Sequence, residues 1–254
     1  MKRSRWGRFW DLFWNLFFPA KCVSCDEVLD YQSTEALCPH CRSKYETEKG
    51  FLCPECQKPH TECECETKKL TRYVKKELHL VEYLKEDSVV RDMILFAKDL
   101  HYEFLYRMLN DELSALLDAK VKDISDHVFT FVPRSGKNIA EYGVDQAREV
   151  AKRLAATFDA DFAPVIRRKN RGEQKKLTAK EREDNTKGVY CLDSKKAGLI
   201  MGRSVILYDD VVTTGATLAA CAKLLKEAGA KEIITLTFGK AYLDKSKGKI
   251  PILK

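Results

Sequence analysis

From residue 78 onward, apolar and polar positions alternate between two periods. Leu78 to Leu84 reads as a first strand. Val90, Met93, Ile94, Ala97, Leu105, Leu109, Leu113 and Leu116 recur at helical spacing, with a break at Asp99–Tyr102. Val128 to Val132 predicts a strand ended by Pro133, Val144 to Phe158 a helix, and Ala163 to Ile166 a short strand. Val205 to Tyr208 is another strand, Leu218 to Ala228 a helix capped by Gly229, and Ile233 to Phe238 the next strand. Alternating strands and helices imply a mostly parallel sheet covered on both faces.

The start of the chain follows a different pattern. Trp6, Phe9, Trp10, Leu12, Phe13, Trp14, Leu16, Phe17 and Phe18 crowd a short segment that ends at Pro19. The run is too short to span a bilayer, and Asp11 and Asn15 interrupt it. It lacks the small-residue cleavage site of a signal peptide. Trp6, Phe9, Trp10, Phe13 and Phe17 share one helical face. That predicts a helix packed on its own module or on a partner subunit. The alternative is peripheral membrane contact through the aromatics and their basic flanks.

The segment with the most chemistry is Val205-Ile206-Leu207-Tyr208-Asp209-Asp210-Val211-Val212-Thr213-Thr214-Gly215-Ala216-Thr217. A buried strand delivers two acids at its carboxyl end, where ligands of parallel sheets bind. The loop amides and helix N-terminus that follow suit a phosphate, because their N–H groups lack partners and the dipole adds partial positive charge. Gly215 permits close backbone approach. Thr213, Thr214 and Thr217 add hydroxyl donors, and Val212 and Ala216 complete the loop. A phosphate and two carboxylates repel, so they should contact different parts of one ligand. A sugar phosphate fits, with Asp209 and Asp210 accepting from ribose hydroxyls and the loop taking the 5-phosphate. The segment resembles the phosphoribosyl pyrophosphate (PRPP) motif of type I phosphoribosyltransferases.

Eight cysteines form the second signal. Cys22-x-x-Cys25 and Cys38-x-x-Cys41 are followed by Cys53-x-x-Cys56 and Cys63-x-Cys65. Each pair places two thiolates on one turn, and two pairs close a tetrahedral zinc site. Disulfides are the competing reading. Zinc is favoured because the chain reads as a cytoplasmic nucleotide enzyme without a secretory signal. Sequential quartets close locally, with a crossed arrangement left open. His40 and His60 read as spectators, and Cys221 as a core residue. Two such sites would set eight thiolate charges against two dications, lowering the formal +7 to about +3. The basic balance is therefore weak evidence for a nucleic-acid partner. The expected division is an aromatic segment over 1–20, a double zinc-ribbon module over 21–70 and an α/β domain over 78–254. The module is too small to bury much apolar surface alone, so metal would carry much of its folding free energy.

Two cationic segments remain. Val132-Pro133-Arg134-Ser135-Gly136-Lys137 follows a strand and reads as a pyrophosphate loop, with Arg134, Ser135 and Lys137 as contacts. Arg167 to Gly188 is highly charged and reads as a mobile lid with a short helix around Ala179 to Asp184. Lys175 and Lys176 would reach the pyrophosphate when it closes.

Taken together, these segments resemble the ComF family of competence-associated phosphoribosyltransferase-like proteins. The resemblance runs from the aromatic start through the paired ribbons to the PRPP motif. Gln174-x-x-Leu177, Glu181-Arg182 and Asn185-x-x-Gly188 match its lid pattern, and Val132-Pro133 its pyrophosphate loop. One departure is Tyr142-Gly143-Val144-Asp145-Gln146, where the family usually has Arg-Gly-Phe-Asn-Gln. A cation is lost and an acid gained. The resemblance implies a type I phosphoribosyltransferase-like sheet with helices on both faces, preceded by a small zinc-ribbon module. It also implies PRPP bound with magnesium and transfer of the phosphoribosyl group to an acceptor. Further, it implies a role in uptake of transforming DNA beside a competence helicase, in the cytoplasm near the inner membrane face. Two rivals stand beside turnover: a PRPP-sensing module without catalysis, and an adaptor that holds single-stranded DNA through the ribbons and Arg167–Arg171.

Overall fold

The structure, a computed structural model, describes residues 19–30, 33–84, 86–99, 102–134, 145–169 and 188–242. The aromatic run up to Phe18 and the helix expected around Ala179 to Asp184 lie outside the described residues. In chain order, the elements are α1 (Pro39–Lys49), β1 (Lys76–Glu82), α2 (Val89–Asp99) and α3 (Glu103–Lys120). Then come β2 (Val128–Phe131), α4 (Gln146–Thr157), β3 (Asp161–Phe162), β4 (Ile166–Arg168) and β5 (Tyr190–Leu192). The last are β6 (Ser204–Val212), α5 (Ala216–Glu227) and β7 (Glu232–Lys240). Among the described residues, no helix is long and apolar enough to cross a membrane.

Five strands form one parallel sheet in the order β1-β7-β6-β2-β3. β6 lies at its centre, and Val205 to Tyr208 are fully buried. Alternation along β6 sends Ile206 and Tyr208 into one core with α2, α3 and α4. Val205 and Leu207 go to the other, with α5. This is the expected sheet with helices on both faces. The strand is longer than the apolar run suggested, because Asp209 and Asp210 stay in the ladder, with Asp209 opposite Thr237. After α5 the chain closes a Schellman turn. Gly229 stands at φ 88°, its N–H bonds the Lys226 carbonyl, and the Ala230 N–H bonds that of Leu225.

One expected strand is corrected. Ala163 to Ile166 is not a single strand: β3 ends at Phe162, and Ile166 opens β4 in a separate antiparallel pair with β5. Pro164 has no N–H for a ladder, so the chain leaves the large sheet there and changes partner. The lid expected from Arg167 is corrected at its base as well. Arg167 and Arg168 are strand residues, opposite Cys191 and Tyr190. No aromatic neighbour is evident for this cluster in the sequence, yet the register sets the Arg168 guanidinium 5.7 Å from the Tyr190 ring centroid.

The cysteine-rich module shares its core with the sheet domain. Val23, Leu29, Leu37 and Tyr45 bury beside α2 and α3, while Leu70 and Val74 bury beside α5. One polar contact fixes the first of these faces. The buried carboxylate of Glu48, on α1, accepts the Val89 and Val90 N–H groups at 2.9 and 3.1 Å and the Ser88 hydroxyl at 2.8 Å. Ser88 in turn accepts the Arg91 N–H at 3.2 Å. A residue forty positions away thus satisfies the open amides of α2. Glu48→Ala should lower stability by about 3 kcal/mol, because it strands buried donors. Urea unfolding against wild type is the measurement.

Candidate functional site

The chain leaves β2 and β6 in opposite directions. From β2 it crosses through α4 to β3 at one edge, and from β6 through α5 to β7 on the other side. α4 packs on one face of the sheet and α5 on the other. The carboxyl ends of β2 and β6, adjacent through Phe131 and Tyr208, therefore form a topological switch point, where open parallel sheets bind ligands.

Both candidate loops start there. Val132 donates its N–H to the Tyr208 carbonyl at 3.0 Å, and Arg134 lies three residues beyond Phe131, the carboxyl end of β2. Asp209 and Asp210 are consecutive residues of the strand, so their side chains point to opposite sides of the sheet. The Asp209 charge is felt by Tyr190 and Cys221 on the α5 side, and that of Asp210 by Tyr83. Each carboxylate also accepts the next backbone N–H, Asp210 to Asp209 at 2.9 Å and Val211 to Asp210 at 2.8 Å. Both acids are half-buried.

Thr213 to Gly215 turn the chain into α5. Gly215 stands at φ 69° and supplies no side-chain cap, so first-turn amides of α5 remain available to an anion. The Thr214 hydroxyl accepts the Ala216 N–H at 3.4 Å. Val212 is buried beneath the loop, Thr213 is exposed, and Ala216 and Thr217 are half-buried. The fold thus brings Arg134, Asp209, Asp210 and the Thr213–Thr217 loop to the carboxyl end of the neighbouring strands β2 and β6. Ser135, Lys137, Lys175 and Lys176 lie outside the described residues.

The acid that departs from the family pattern has a structural use. Asp145 is the N-cap of α4, accepting the Arg148 N–H at 3.4 Å, and it also accepts the Arg134 N–H at 3.2 Å. It therefore ties the end of the β2 loop to the helix. Burial raises its pKa, while the Arg134 and Arg148 amides and charges pull the other way.

The eight expected cysteine ligands gather in two sequential groups, Cys22, Cys25, Cys38, Cys41 and Cys53, Cys56, Cys63, Cys65, with all sulfurs of a group within 4.8 Å. His40 and His60 belong to neither. The Cys25–Cys38 and Cys56–Cys63 sulfurs are 3.7 Å apart. A tetrahedral zinc with sulfur at about 2.3 Å needs a sulfur–sulfur separation of about 3.8 Å. A disulfide needs about 2.05 Å, and all ten cysteines are free thiols. Burial pushes Cys38 and Cys63 up to about 11, so these thiols stay protonated unless a bound cation holds them as thiolates. The donor sets fit zinc.

Sequence reasoning missed the buried polar cluster beside the second group. The Glu77 carboxylate pairs with Lys240 at 3.0 Å. It also accepts the Thr67 N–H at 2.8 Å and hydroxyl at 2.9 Å. Lys240 donates to the Cys65 carbonyl at 2.7 Å, and the Tyr242 hydroxyl to the Cys53 sulfur at 3.2 Å. Burial, aided by the Lys240 charge, lowers His60 to about 4 and His79 to about 3, so both imidazoles are neutral. Glu77 and Lys240 fall outside the strands expected over Leu78–Leu84 and Ile233–Phe238. Only the register, which lays the ribbon over them, reveals the pair.

The comparisons agree with this arrangement. A double zinc ribbon domain matches residues 13–72, and a phosphoribosyl transferase domain matches residues 138–254. Competence protein ComFC of Streptococcus pneumoniae is 25% identical over 236 residues, covering 85% of this chain and 98% of that protein. The resemblance to the ComF family holds across most of the chain. Competence protein ComFC of Bacillus subtilis is 28% identical over 226 residues, 82% of this chain and 89% of the relative. Competence protein F of Haemophilus influenzae is 27% identical over 219 residues, 77% and 93% respectively.

Two outcomes test this geometry. Metal analysis of the purified protein should find about two zinc ions per chain; no zinc, with disulfides by mass spectrometry, would overturn the ligand assignment. Asp145→Ala should cost about 1 kcal/mol through loss of the cap, and Asp145→Asn much less. Because folding raises the Asp145 pKa, the unfolded chain ionises first as pH climbs, and wild type loses stability through the aspartate range. The asparagine variant has no such loss, so its stability relative to wild type should improve from pH 3 to pH 6, a range set by the ordinary aspartate pKa of about 3.9.

Proposed function

We propose that this chain binds PRPP with magnesium at the switch point and acts as a phosphoribosyltransferase-like protein of natural transformation. The observation that carries the reading is the adjacency of the β2 and β6 carboxyl ends, from which Arg134 and the Asp209–Thr217 segment emerge. Residues 21–70 are taken as the zinc module and 78–254 as the phosphoribosyltransferase-like domain. The names of the relatives, competence proteins ComFC and F, support the link to DNA uptake.

In this reading, Asp209 and Asp210 accept hydrogen bonds from the ribose hydroxyls, one from each side of the strand end. The α5 amides and the hydroxyls of Thr213, Thr214 and Thr217 hold the 5-phosphate, with Val212, Gly215 and Ala216 shaping the loop. Arg134, Ser135 and Lys137 face the pyrophosphate, joined by Lys175 and Lys176. Magnesium would neutralise part of the pyrophosphate charge. The protein's contribution to transfer is positioning and stabilisation of charge at the anomeric carbon. A cytoplasmic setting, beside a helicase partner and the inner membrane face, is consistent with a PRPP ligand and transforming DNA.

Asp209→Asn combined with Asp210→Asn should weaken PRPP binding at least tenfold. Each change removes a charged acceptor, and such a bond contributes roughly 1.5–3 kcal/mol. Titration calorimetry with magnesium present reads this directly. Unchanged affinity would sink the ribose-hydroxyl role. Release of isotope from labelled pyrophosphate distinguishes turnover from sensing.

A further inference from the structure

We infer that Thr67 is a positioning residue for the 5-phosphate loop, set by the second cysteine cluster through the polar chain Cys65–Lys240–Glu77–Thr67. The inference rests on reading Thr213–Thr217 as the phosphate loop. Gly215 is buried, and a Cβ added to it would lie 2.6 Å from Thr67 Cγ2 and 3.4 Å from Leu70 Cγ. The ribbon's trailing segment therefore sits directly on the residue that turns the loop into α5. Gly215 holds a left-handed conformation there, so the direction of the first α5 amides depends on how this glycine is seated.

Thr67 cannot drift while its anchor holds. Its N–H and hydroxyl both donate to the Glu77 carboxylate, at 2.8 and 2.9 Å. Lys240 holds Glu77 at 3.0 Å, and the side chains of this pair are 7% and 3% exposed. Lys240 spends a further donor on the carbonyl of Cys65, at 2.7 Å. Cys65 is the last sulfur of the second group. A metal held by these sulfurs would fix the place of that carbonyl, and each later link takes its place from the one before. Metal loss at this group frees Cys65, loosens the Lys240–Glu77–Thr67 anchor and unseats Gly215. The first group makes a different contact: the Ser24 hydroxyl, within its Cys22–Cys25 turn, donates to Asp92 on α2 at 2.8 Å. Emptying that group leaves the phosphate loop alone.

The test uses the full chain, and its first readout needs no ligand. Hydrogen exchange is followed over 213–219 in wild type and in four variants: Cys65→Ser, Cys25→Ser, Thr67→Val and Thr67→Ser. Metal content is measured for each. Thr67→Val keeps a methyl against Gly215 and removes the hydroxyl donor, whereas Thr67→Ser keeps both bonds to Glu77 and removes that methyl. Exchange in the loop should quicken at least threefold in both Thr67 variants and in Cys65→Ser once one zinc equivalent is lost. It should stay near wild type in Cys25→Ser. Affinity for ribose 5-phosphate, measured by calorimetry, should fall in the same three variants. Unchanged loop exchange in Thr67→Val or in Thr67→Ser overturns the inference, as does equal quickening in Cys25→Ser. If Cys65→Ser does not fold, the two Thr67 variants against Cys25→Ser decide alone. If wild type binds neither ribose 5-phosphate nor PRPP, the phosphate reading fails, while exchange still reports whether the ribbon seats the loop.

Discussion

Glu77 and Lys240 meet at 3.0 Å in a place almost closed to water. Taking both charges out of solvent costs several kcal/mol per ion, and their attraction alone does not restore it. The pair survives because the remaining lone pairs and protons are also satisfied. Thr67 supplies two donors to the carboxylate, and Cys65 supplies a carbonyl to the ammonium. Both come from the cysteine-rich module, while the charges come from the sheet. Removing the module would leave two charges buried or newly wet on strands whose apolar neighbours expect cover. Removing one partner would cost about 3–5 kcal/mol. The two parts of the chain therefore specify each other.

The same dependence appears at the other end of the module. Glu48 closes the start of α2 from forty residues away, and the module's buried side chains belong to cores that the sheet completes. A segment this short buries too little to stand alone. It uses three devices: two sulfur-lined sites, a helix-capping carboxylate and a buried ion pair. The first orders the module internally, and the other two set its orientation on the sheet.

Much of the sheet was legible because β6 contains the apolar run Val205 to Tyr208 and β7 a run broken only by Thr235 and Thr237, with a glycine-marked helix between them. Asp209, Asp210 and the threonine loop were legible because no core needs two acids beside three hydroxyls. The sulfur groups were legible from spacing. The split after Phe162 was not, since periodicity over Ala163 to Ile166 outweighed the single missing donor of Pro164. β1 was read two residues late because Lys76 and Glu77 look solvated, and only Thr67 and Lys240 make a buried glutamate tolerable. Thr67 itself carries no signal in the sequence. Its role is a contact with Gly215 across 148 positions, and nothing local encodes it.

Asp145 illustrates how a change of charge can be absorbed by architecture. An acid near a phosphate site would repel the ligand if its charge were presented to it. Here both carboxylate oxygens are committed to backbone donors, one at the start of α4 and one at Arg134. The helix N-terminus offsets part of the negative charge. An asparagine offers one oxygen acceptor, whereas aspartate offers two, so the acid can clamp the β2 loop and cap the helix together. The loss of a cation at Tyr142 and the gain of an acid at Asp145 thus differ in kind. The first removes a charge, while the second ties Arg134, just past β2, to the start of α4.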